Sequence, residues 1–472
     1  MGRKRRIIDS LEITGIADKG RGVGRTDNKV VFVDGAVPGD IVKVKINKNK
    51  PSYAEGKVLA NLSPSPFREE AFCEHFRLCG GCKWQDLAYE KQLEFKHVQV
   101  VESFKRIGGV EGVEIESPLG SEKTTFYRNK LEYTFSNQRW LEEDEIASEE
   151  DLDRNGVGFH IPGRHDRVVD VKKCWLQTDS SNAVRNALRD FAKENNLSYY
   201  DFKSHSGLLR NLIIRTSSIG ELMVIVQFGE DQPEKIESVM DFLKNEFPEI
   251  TSLQYIINLK KNETFFDQEV IVYNGKPDIE ERMPLSKDSD EYLSFMISPK
   301  SFYQTNSDQA FELYNLAREF ADLKGDEIVY DLYTGTGTIA NFIASSAKKV
   351  VGIEYVEAAV EDARINSSNN KVDNTVFYAG DMKDLLNKDM FEKEGYPDTV
   401  ITDPPRAGMH KDVVNALLEA QPKRIVYVSC NPATQARDIA LLADKYEVKR
   451  IKPVDMFPHT HHIENVALLD LK

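Results

Sequence analysis

Short apolar runs recur through the last third of the chain: Ile328–Leu332, Val350–Ile353, Thr375–Tyr378, Thr399–Thr402, Ile425–Val428, Val448–Pro453 and Val466–Leu469. Mixed-polarity stretches of helical length separate most of them, and a strand-then-helix rhythm predicts a doubly wound α/β unit. The first sixty residues have a different rhythm. Asp9–Thr14, Lys29–Val33, Ile41–Ile46 and Glu55–Leu59 read as short strands, broken by a glycine-rich loop at Lys19–Arg25 and a turn at Val37–Asp40. Many short strands with Gly/Pro turns predict a small β-barrel. Pro64 and Pro66 then mark a linker.

Between these ends the pattern is mixed. Leu93, Val98, Val101, Phe104 and Ile107 fall at helical spacing and stop at Gly108-Gly109, which predicts a helix of about 18 residues. Further on, Leu208–Thr216 and Leu222–Phe228 read as strands and Pro233–Phe247 as a helix. The chain is thus expected to divide into 1–62, 63–300 and 301–472. The helix near 90–108 is a candidate to pack on the third unit. A length of 472 residues, 40% of them apolar, suits about three domains with a core each.

No apolar stretch approaches the length of a membrane span, and the basic start lacks the apolar core of a signal peptide. A cytoplasmic protein is expected, in which cysteines stay reduced and serve as metal ligands or nucleophiles. The net charge of -15 argues against a nucleic-acid partner until its distribution is read. Residues 1–50 hold twelve Lys/Arg against six acids, so the barrel is expected to meet RNA. Part of the negative charge lies in the run from Glu142 to Asp153, expected as a solvated loop.

Five strand ends carry candidate chemistry. Asp331-Leu332-Tyr333-Thr334-Gly335-Thr336-Gly337 is a strand running into a glycine turn that opens a helix, and Glu354 follows nineteen residues after Gly335 at the next strand end. Such a turn lets backbone approach a nucleotide, and the acid can bind ribose hydroxyls. The spacing suits a dinucleotide or S-adenosylmethionine; the missing third glycine tilts it to the latter. Asp381, after the third strand, is the candidate for the adenine side. Asp403, in Thr402-Asp403-Pro404-Pro405-Arg406, ends the fourth strand, and Cys430, in Val428-Ser429-Cys430-Asn431-Pro432, ends the fifth. A thiol there is a nucleophile for conjugate addition. Glu464, behind three histidines too closely spaced to share one metal ion, could reach the same cleft as a general base.

The other four cysteines form a second group. Cys73-x5-Cys79-Gly80-Gly81-Cys82, with Cys174 ninety-two residues on, supplies four thiolates, which suits zinc or an iron–sulfur cluster.

Together these residues resemble the RNA (uracil-5-)-methyltransferase family, in particular its 23S ribosomal RNA members. The resemblance implies an α/β architecture: a C-terminal Rossmann-like class I methyltransferase domain, an OB-like N-terminal TRAM barrel, and a central α+β iron–sulfur domain. Gly20-Arg21-Gly22-Val23-Gly24-Arg25 with Val37-Pro38-Gly39-Asp40 is similar to TRAM. Cys73, Cys79, Gly81, Cys82, Gln85 and Cys174 match the cluster pattern, which implies [4Fe–4S] as the metal group. Phe302-Tyr303-Gln304-Thr305-Asn306 is similar to the family's Phe-x-Gln-x-Asn segment. It implies Gln304 as a contact to cofactor or target base and Phe302 as their aromatic neighbour. The implied S-adenosylmethionine site is Phe302, Gln304, Asp331, Tyr333, Thr334, Gly335, Gly337, Glu354, Asp381 and Asp403. The implied reaction adds Cys430 to carbon 6 of a flipped-out uracil, with Glu464 removing the proton from carbon 5 and Asp403 and Gln304 steadying the base. The implied partner is 23S ribosomal RNA, met by a monomer, with transfer RNA the alternative. One departure is that Thr334 stands where several members have cysteine.

Overall fold

The computed structural model describes residues 6–26, 28–148 and 152–472. Five strands, β1 (Ile7–Ala17), β2 (Arg21–Thr26), β3 (Lys29–Asp34), β4 (Ile41–Asn49) and β5 (Tyr53–Ser63), close a barrel in the order β1-β2-β3-β5-β4. Inward Leu11, Ile13, Val31, Val33, Val42, Val44 and Ala54 fill it. The segment expected as a glycine loop is in large part strand β2. Its glycines allow close approach: a Cβ at Gly22 would lie 2.8 Å from both the Ala36 carbonyl oxygen and the Ile13 side chain. Of the basic N-terminal residues, Arg3, Lys4 and Arg5 lie outside the described residues.

The proline segment after the barrel is no loose linker. Asp40 is fully buried, and its carboxylate accepts from the amides of Val37 (2.8 Å) and Ser65 (2.9 Å) and from the Arg68 guanidinium (2.6 and 2.9 Å). Burial alone would raise the Asp40 pKa, but Arg68 and the two amides bring it below its usual value. The chain after Ser65 is therefore anchored to the barrel.

Helix α1 (Tyr89–Ser103) continues through a wider π-helical turn, Phe104–Gly108, which packs on the last helix of the chain. A seven-stranded sheet follows, made of β6 (Lys130–Ser136), β7 (Gly156–Ile161), β8 (Arg164–Asp170), β9 (Leu209–Thr216), β10 (Leu222–Phe228), β11 (Ser252–Ile257) and β12 (Ile271–Gly275). Its order is β12-β11-β10-β9-β6-β7-β8. Between β6 and β7 the acidic run is expected as solvated loop, yet Glu143–Ala147 forms a short helix, α2, in which Glu145 accepts both terminal nitrogens of Arg139. That pairing brings the Glu145 carboxyl down to about 2. Glu149, Glu150 and Asp151 lie outside the described residues.

Helices α3 (Asp179–Glu194) and α4 (Pro233–Glu246) cover one face of this sheet, sharing a core with Leu212, Ile214, Val224 and Val226. Ile213, Met223 and Ile225 point the other way, into the core of the C-terminal unit. With both faces covered, β9 and β10 read as continuous apolar runs rather than alternating ones.

A hairpin, β13 (Ile279–Pro284) and β14 (Tyr292–Ile297), leads into α5 (Ser307–Ala321) and the second seven-stranded sheet. Its strands are β15 (Ile328–Leu332), β16 (Lys349–Glu354), β17 (Thr375–Ala379), β18 (Thr399–Thr402), β19 (Arg424–Ser429), β20 (Tyr446–Val454) and β21 (Glu464–Leu471). Each apolar run read from the sequence is one of these strands. The connecting helices are α6 (Thr338–Ala344), α7 (Glu357–Asn369), α8 (Met382–Leu385), α9 (Lys388–Glu394), α10 (Lys411–Ala420) and α11 (Pro432–Leu442). The order is β17-β16-β15-β18-β19-β21-β20, with β15 to β19 parallel and β21 antiparallel between β19 and β20. The strand order reverses between β15 and β18, where sheets of this kind place their ligands. Among the described residues no helix is long and apolar enough to cross a membrane.

α1 meets this sheet through a buried ion pair. Lys96 Nζ lies 2.6 Å from Asp455 Oδ1, neither side chain exposed; Tyr89 donates to Asp455 Oδ2 (3.0 Å), and Lys96 also reaches the Phe457 carbonyl (3.2 Å). Removing one partner leaves an uncompensated buried charge. Lys96→Met is therefore expected to lower the unfolding free energy by about 3–5 kcal/mol. Lys96→Met/Asp455→Leu should recover most of that loss, both read from urea transitions followed by circular dichroism.

Candidate active site

β15 ends in a turn that three positive φ angles make possible, at Tyr333 (65°), Gly335 (55°) and Gly337 (75°). The amides of Tyr333 and Thr334 both donate to the Ile353 carbonyl of β16, which fixes the turn to the neighbouring strand end. A Cβ at Gly335 would meet nothing within 4 Å, so the turn faces open space. Glu354 accepts from the Gly335 amide (3.2 Å) and from Val356 (3.0 Å). Beneath the turn, Asp331 is fully buried. Thr334 donates to its Oδ2 at 2.5 Å, while Oδ1 has no partner. Burial, with Asp403 and Glu354 nearby, pushes the Asp331 carboxyl up to about 7. Asp381 N-caps α8 and pairs with Lys383 at 2.9 Å, which holds its pKa down.

The segment 301–306 bridges the two sheets. Arg215 of β9 donates to the Ser301 carbonyl (2.6 Å), Asn129 to the Gln304 carbonyl (2.9 Å), and Asn306 caps α5 and donates to the Met456 carbonyl (3.0 Å). Gln304 is buried, whereas Phe302 is 66% exposed and its carbonyl faces Thr336 Oγ1 of the glycine turn at 3.5 Å.

Cys430 follows β19 directly. The β19–β21 register pairs Ser429 with Asn465, and one further antiparallel step sets Cys430 opposite Glu464. Asp403, past the end of β18, joins them; its amide donates to the Leu332 carbonyl (3.3 Å). Burial raises both the Asp403 and Glu464 carboxyls, and the charge of Asp403 raises Glu464 further. Burial and these two acids push the Cys430 thiol up to about 11, against the pull of a hydrogen bond from Arg406.

Arg406 and Tyr314 carry no role in the sequence reading. Arg406 is exposed, touches Cys430 and His462 (Nη2–Nδ1 3.0 Å), and offers its carbonyl to Asn431 (3.0 Å) and Thr434 (3.2 Å). Its position right after the Asp403 prolines was the available signal. Tyr314 lies in α5 under the cleft, where burial raises its pKa and the charges of nearby Asp403, Asp331 and Glu464 raise it further. Nothing in the local sequence marks it. Of the three histidines, His459 is bonded to Gln92 (3.2 Å), and the His461 and His462 rings lie tilted against each other, centroids 4.0 Å apart and planes at 38°. The barrel touches this rim: a Cβ at Gly20 would lie 2.9 Å from that of His461.

The remaining cysteines converge elsewhere. Cys73, Cys79, Cys82 and Cys174 line one cavity of about 220 Å³ with His75, Arg128 and Trp175, and all four are free thiols. Asn182 of α3 holds the Cys174 backbone by two hydrogen bonds (2.8 and 3.0 Å). Burial, reinforced by the other thiols, pushes Cys79 and Cys82 up to about 12; the Gly81 amide and Gln85 oppose it. Among the described residues, no three or more His, Cys, Asp or Glu side chains converge tightly enough to hold a single metal ion. The cavity adjoins the cleft, because the amides of Lys83 and Trp84, just past Cys82, donate to the His459 carbonyl (2.8 and 3.1 Å).

The family model of tRNA (uracil-5-)-methyltransferases matches residues 268–472, and that of the TRAM domain matches 10–59. An uncharacterized RNA methyltransferase of Bacteroides thetaiotaomicron is 54% identical over 97% of this chain and 100% of its own length. A counterpart in Porphyromonas gingivalis is 53% identical over 97% and 99%. Among solved structures, the Pyrococcus abyssi tRNA (uracil-54, C5)-methyltransferase in complex with S-adenosyl-L-homocysteine superposes with a TM-score of 0.74 at 30% identity. It covers 98% of this chain and 100% of the other. Family models, full-length relatives and a solved structure that superposes along nearly the whole chain agree with the barrel and sheet described above: the chain belongs to the RNA (uracil-5-)-methyltransferase family.

Proposed function

We propose that this S-adenosylmethionine-dependent enzyme methylates carbon 5 of one uridine in 23S ribosomal RNA, acting as a cytoplasmic monomer. The observation that carries the reaction is the placement of Cys430 opposite Glu464 with Asp403 alongside, at the same end of the sheet as the glycine turn. The cofactor fits the turn: open space at Gly335, an unpartnered Asp331 oxygen beneath it, and Glu354 at the next strand end. Phe302, Gln304, Tyr333, Thr334, Gly337, Asp381 and Asp403 complete the proposed pocket. When bound, S-adenosylmethionine supplies an electrophilic methyl group.

The chain's own residues do the rest. Carbon 5 of uracil is a weak nucleophile, so Cys430 adds to carbon 6 as its thiolate, the form in which it later leaves. The electron density pushed onto carbon 5 lets that carbon take the methyl group before its proton is lost. Asp403 and Gln304 hydrogen-bond the polar edge of the base as its charge develops. Glu464 takes the proton from carbon 5, and Cys430 leaves as a thiolate. A carboxyl raised by burial suits that exchange of a proton near neutral pH.

The four-cysteine cavity supports a [4Fe–4S] cluster as resident group. The four thiols are undivided by disulfides and line one cavity, so Cys73, Cys79, Cys82 and Cys174 would hold such a cluster. Bound iron would also stabilise thiolates that burial otherwise disfavours. We read the chain as a barrel over 1–62, a cluster-bearing unit over 63–300 and a catalytic unit over 301–472. The cysteine pattern supports ribosomal RNA. The activity named for the Pyrococcus abyssi protein favours transfer RNA as a second reading, and mapping which RNA loses 5-methyluridine in a deletion strain separates them.

Incubation with S-adenosylmethionine and 5-fluorouridine-containing RNA should trap a covalent protein–RNA adduct on denaturing gels. Cys430→Ala should abolish it, and an adduct that survives removes Cys430 from the mechanism. With ordinary uridine, Glu464→Gln should accumulate the adduct. In the free protein, iodoacetamide labelling of the Cys430 peptide, read by mass spectrometry, should keep rising with pH towards an inflection near 11. Because the Glu464 charge contributes to that raised value, Glu464→Gln should move the inflection down. Anaerobic purification should yield about four iron and four sulfide per chain; zinc in their place would overturn the cluster.

A further inference from the structure

The loop between β11 and β12 exposes apolar side chains on a rigid frame. Leu259 is 68% and Phe266 67% exposed, and Phe266 lies stacked on buried Phe265, ring centroids 5.3 Å apart and planes 11° from parallel. The frame beneath is held by a charge. Arg210 of β9, entirely buried over the Tyr200 ring, donates to the carbonyls of Asn258 (2.8 Å), Lys260 (2.6 Å) and Asn262 (2.6 Å). Asn258 adds a bond to the Thr264 carbonyl (3.2 Å). A buried guanidinium satisfied mainly by carbonyls is costly to place, and here it fixes the shape of one surface loop.

That loop is continuous with the candidate active site. Lys300 donates to the Gln268 carbonyl (2.6 Å), and the next two residues are Ser301, held by Arg215 from the same strand as Arg210, and Phe302 at the glycine turn. We infer that Phe266 and Leu259 form a stacking platform for unpaired RNA bases that flank the target uridine. A base flipped into the cleft leaves its neighbours without a stacking partner, and a fixed aromatic face replaces it without regard to sequence. Charge argues for stacking over phosphate binding, since the loop's two lysines, Lys260 and Lys261, are outnumbered by Glu263, Asp267 and Glu269, and Lys260 is paired with Asp267.

The inference rests on the proposed flipped-base site, but its test measures binding without chemistry. The full-length protein is titrated, at several KCl concentrations, into a fluorescein-labelled RNA hairpin with a uridine-rich unpaired loop and into a blunt RNA duplex. Phe266→Ala should weaken hairpin binding about tenfold, leave duplex binding unchanged, and keep the slope of log Kd against log salt. Phe266→Trp should bind the hairpin at least as well as the unaltered protein. Urea transitions of both variants should match the unaltered protein. Unchanged hairpin affinity in Phe266→Ala would overturn the platform, as would equal losses on hairpin and duplex. So would a change in sedimentation, which would make the patch a self-association face. Failure of the Cys430 trapping experiment would leave these binding results standing.

Discussion

The contact between Lys96 and Asp455 is the constraint on which the working geometry depends. Neither charge touches water, so each is tolerable only because the other is there and because Tyr89 and the Phe457 backbone fill their remaining hydrogen-bonding capacity. One end of the pair belongs to α1, which follows the clustered cysteines; the other begins the turn that delivers Glu464. Gln92, one helical turn before Lys96, repeats the link by bonding the His459 ring and amide. The cysteine cavity and the proposed base are thus set against the same short turn from opposite sides.

The cleft is electrostatically uncomfortable by construction. Asp331, Asp403 and Glu464 crowd under one mouth, each disfavoured as an anion by burial, and Cys430 shares their field. Arg406 at the rim is the basic side chain that opposes this at Cys430. A site that resists negative charge when empty gains from any cation that enters it, and a sulfonium is such a ligand. Stability given up locally is stored as affinity and readiness for proton exchange.

Much of this was legible in the sequence because strand ends punctuate themselves. Asp331 is next to last in an apolar run, Asp403 directly follows one and Cys430 stands two residues past another, and in a doubly wound sheet such positions share one edge. Glycines misled at β2, where Gly22 and Gly24 look like a loop but serve close packing of one strand on another. Pro64 and Pro66 misled in the same way, since nothing nearby discloses that Asp40 captures Ser65 and Arg68. Tyr314, Arg210 and Lys96 stayed silent for a related reason. Their partners lie tens to hundreds of residues away, and their surroundings in sequence are those of ordinary helix and strand positions.

The sheet order has a consequence for how the molecule is made. β21 sits between β19 and β20, yet it is the last strand of the sheet to be synthesised, and it begins with Glu464. Until it inserts, β19 and β20 have no strand between them and Cys430 has nothing opposite it. Lys96 waits some 360 residues for its counter-charge. A chain still emerging from the ribosome would therefore carry its finished TRAM barrel well before it held a competent catalytic centre.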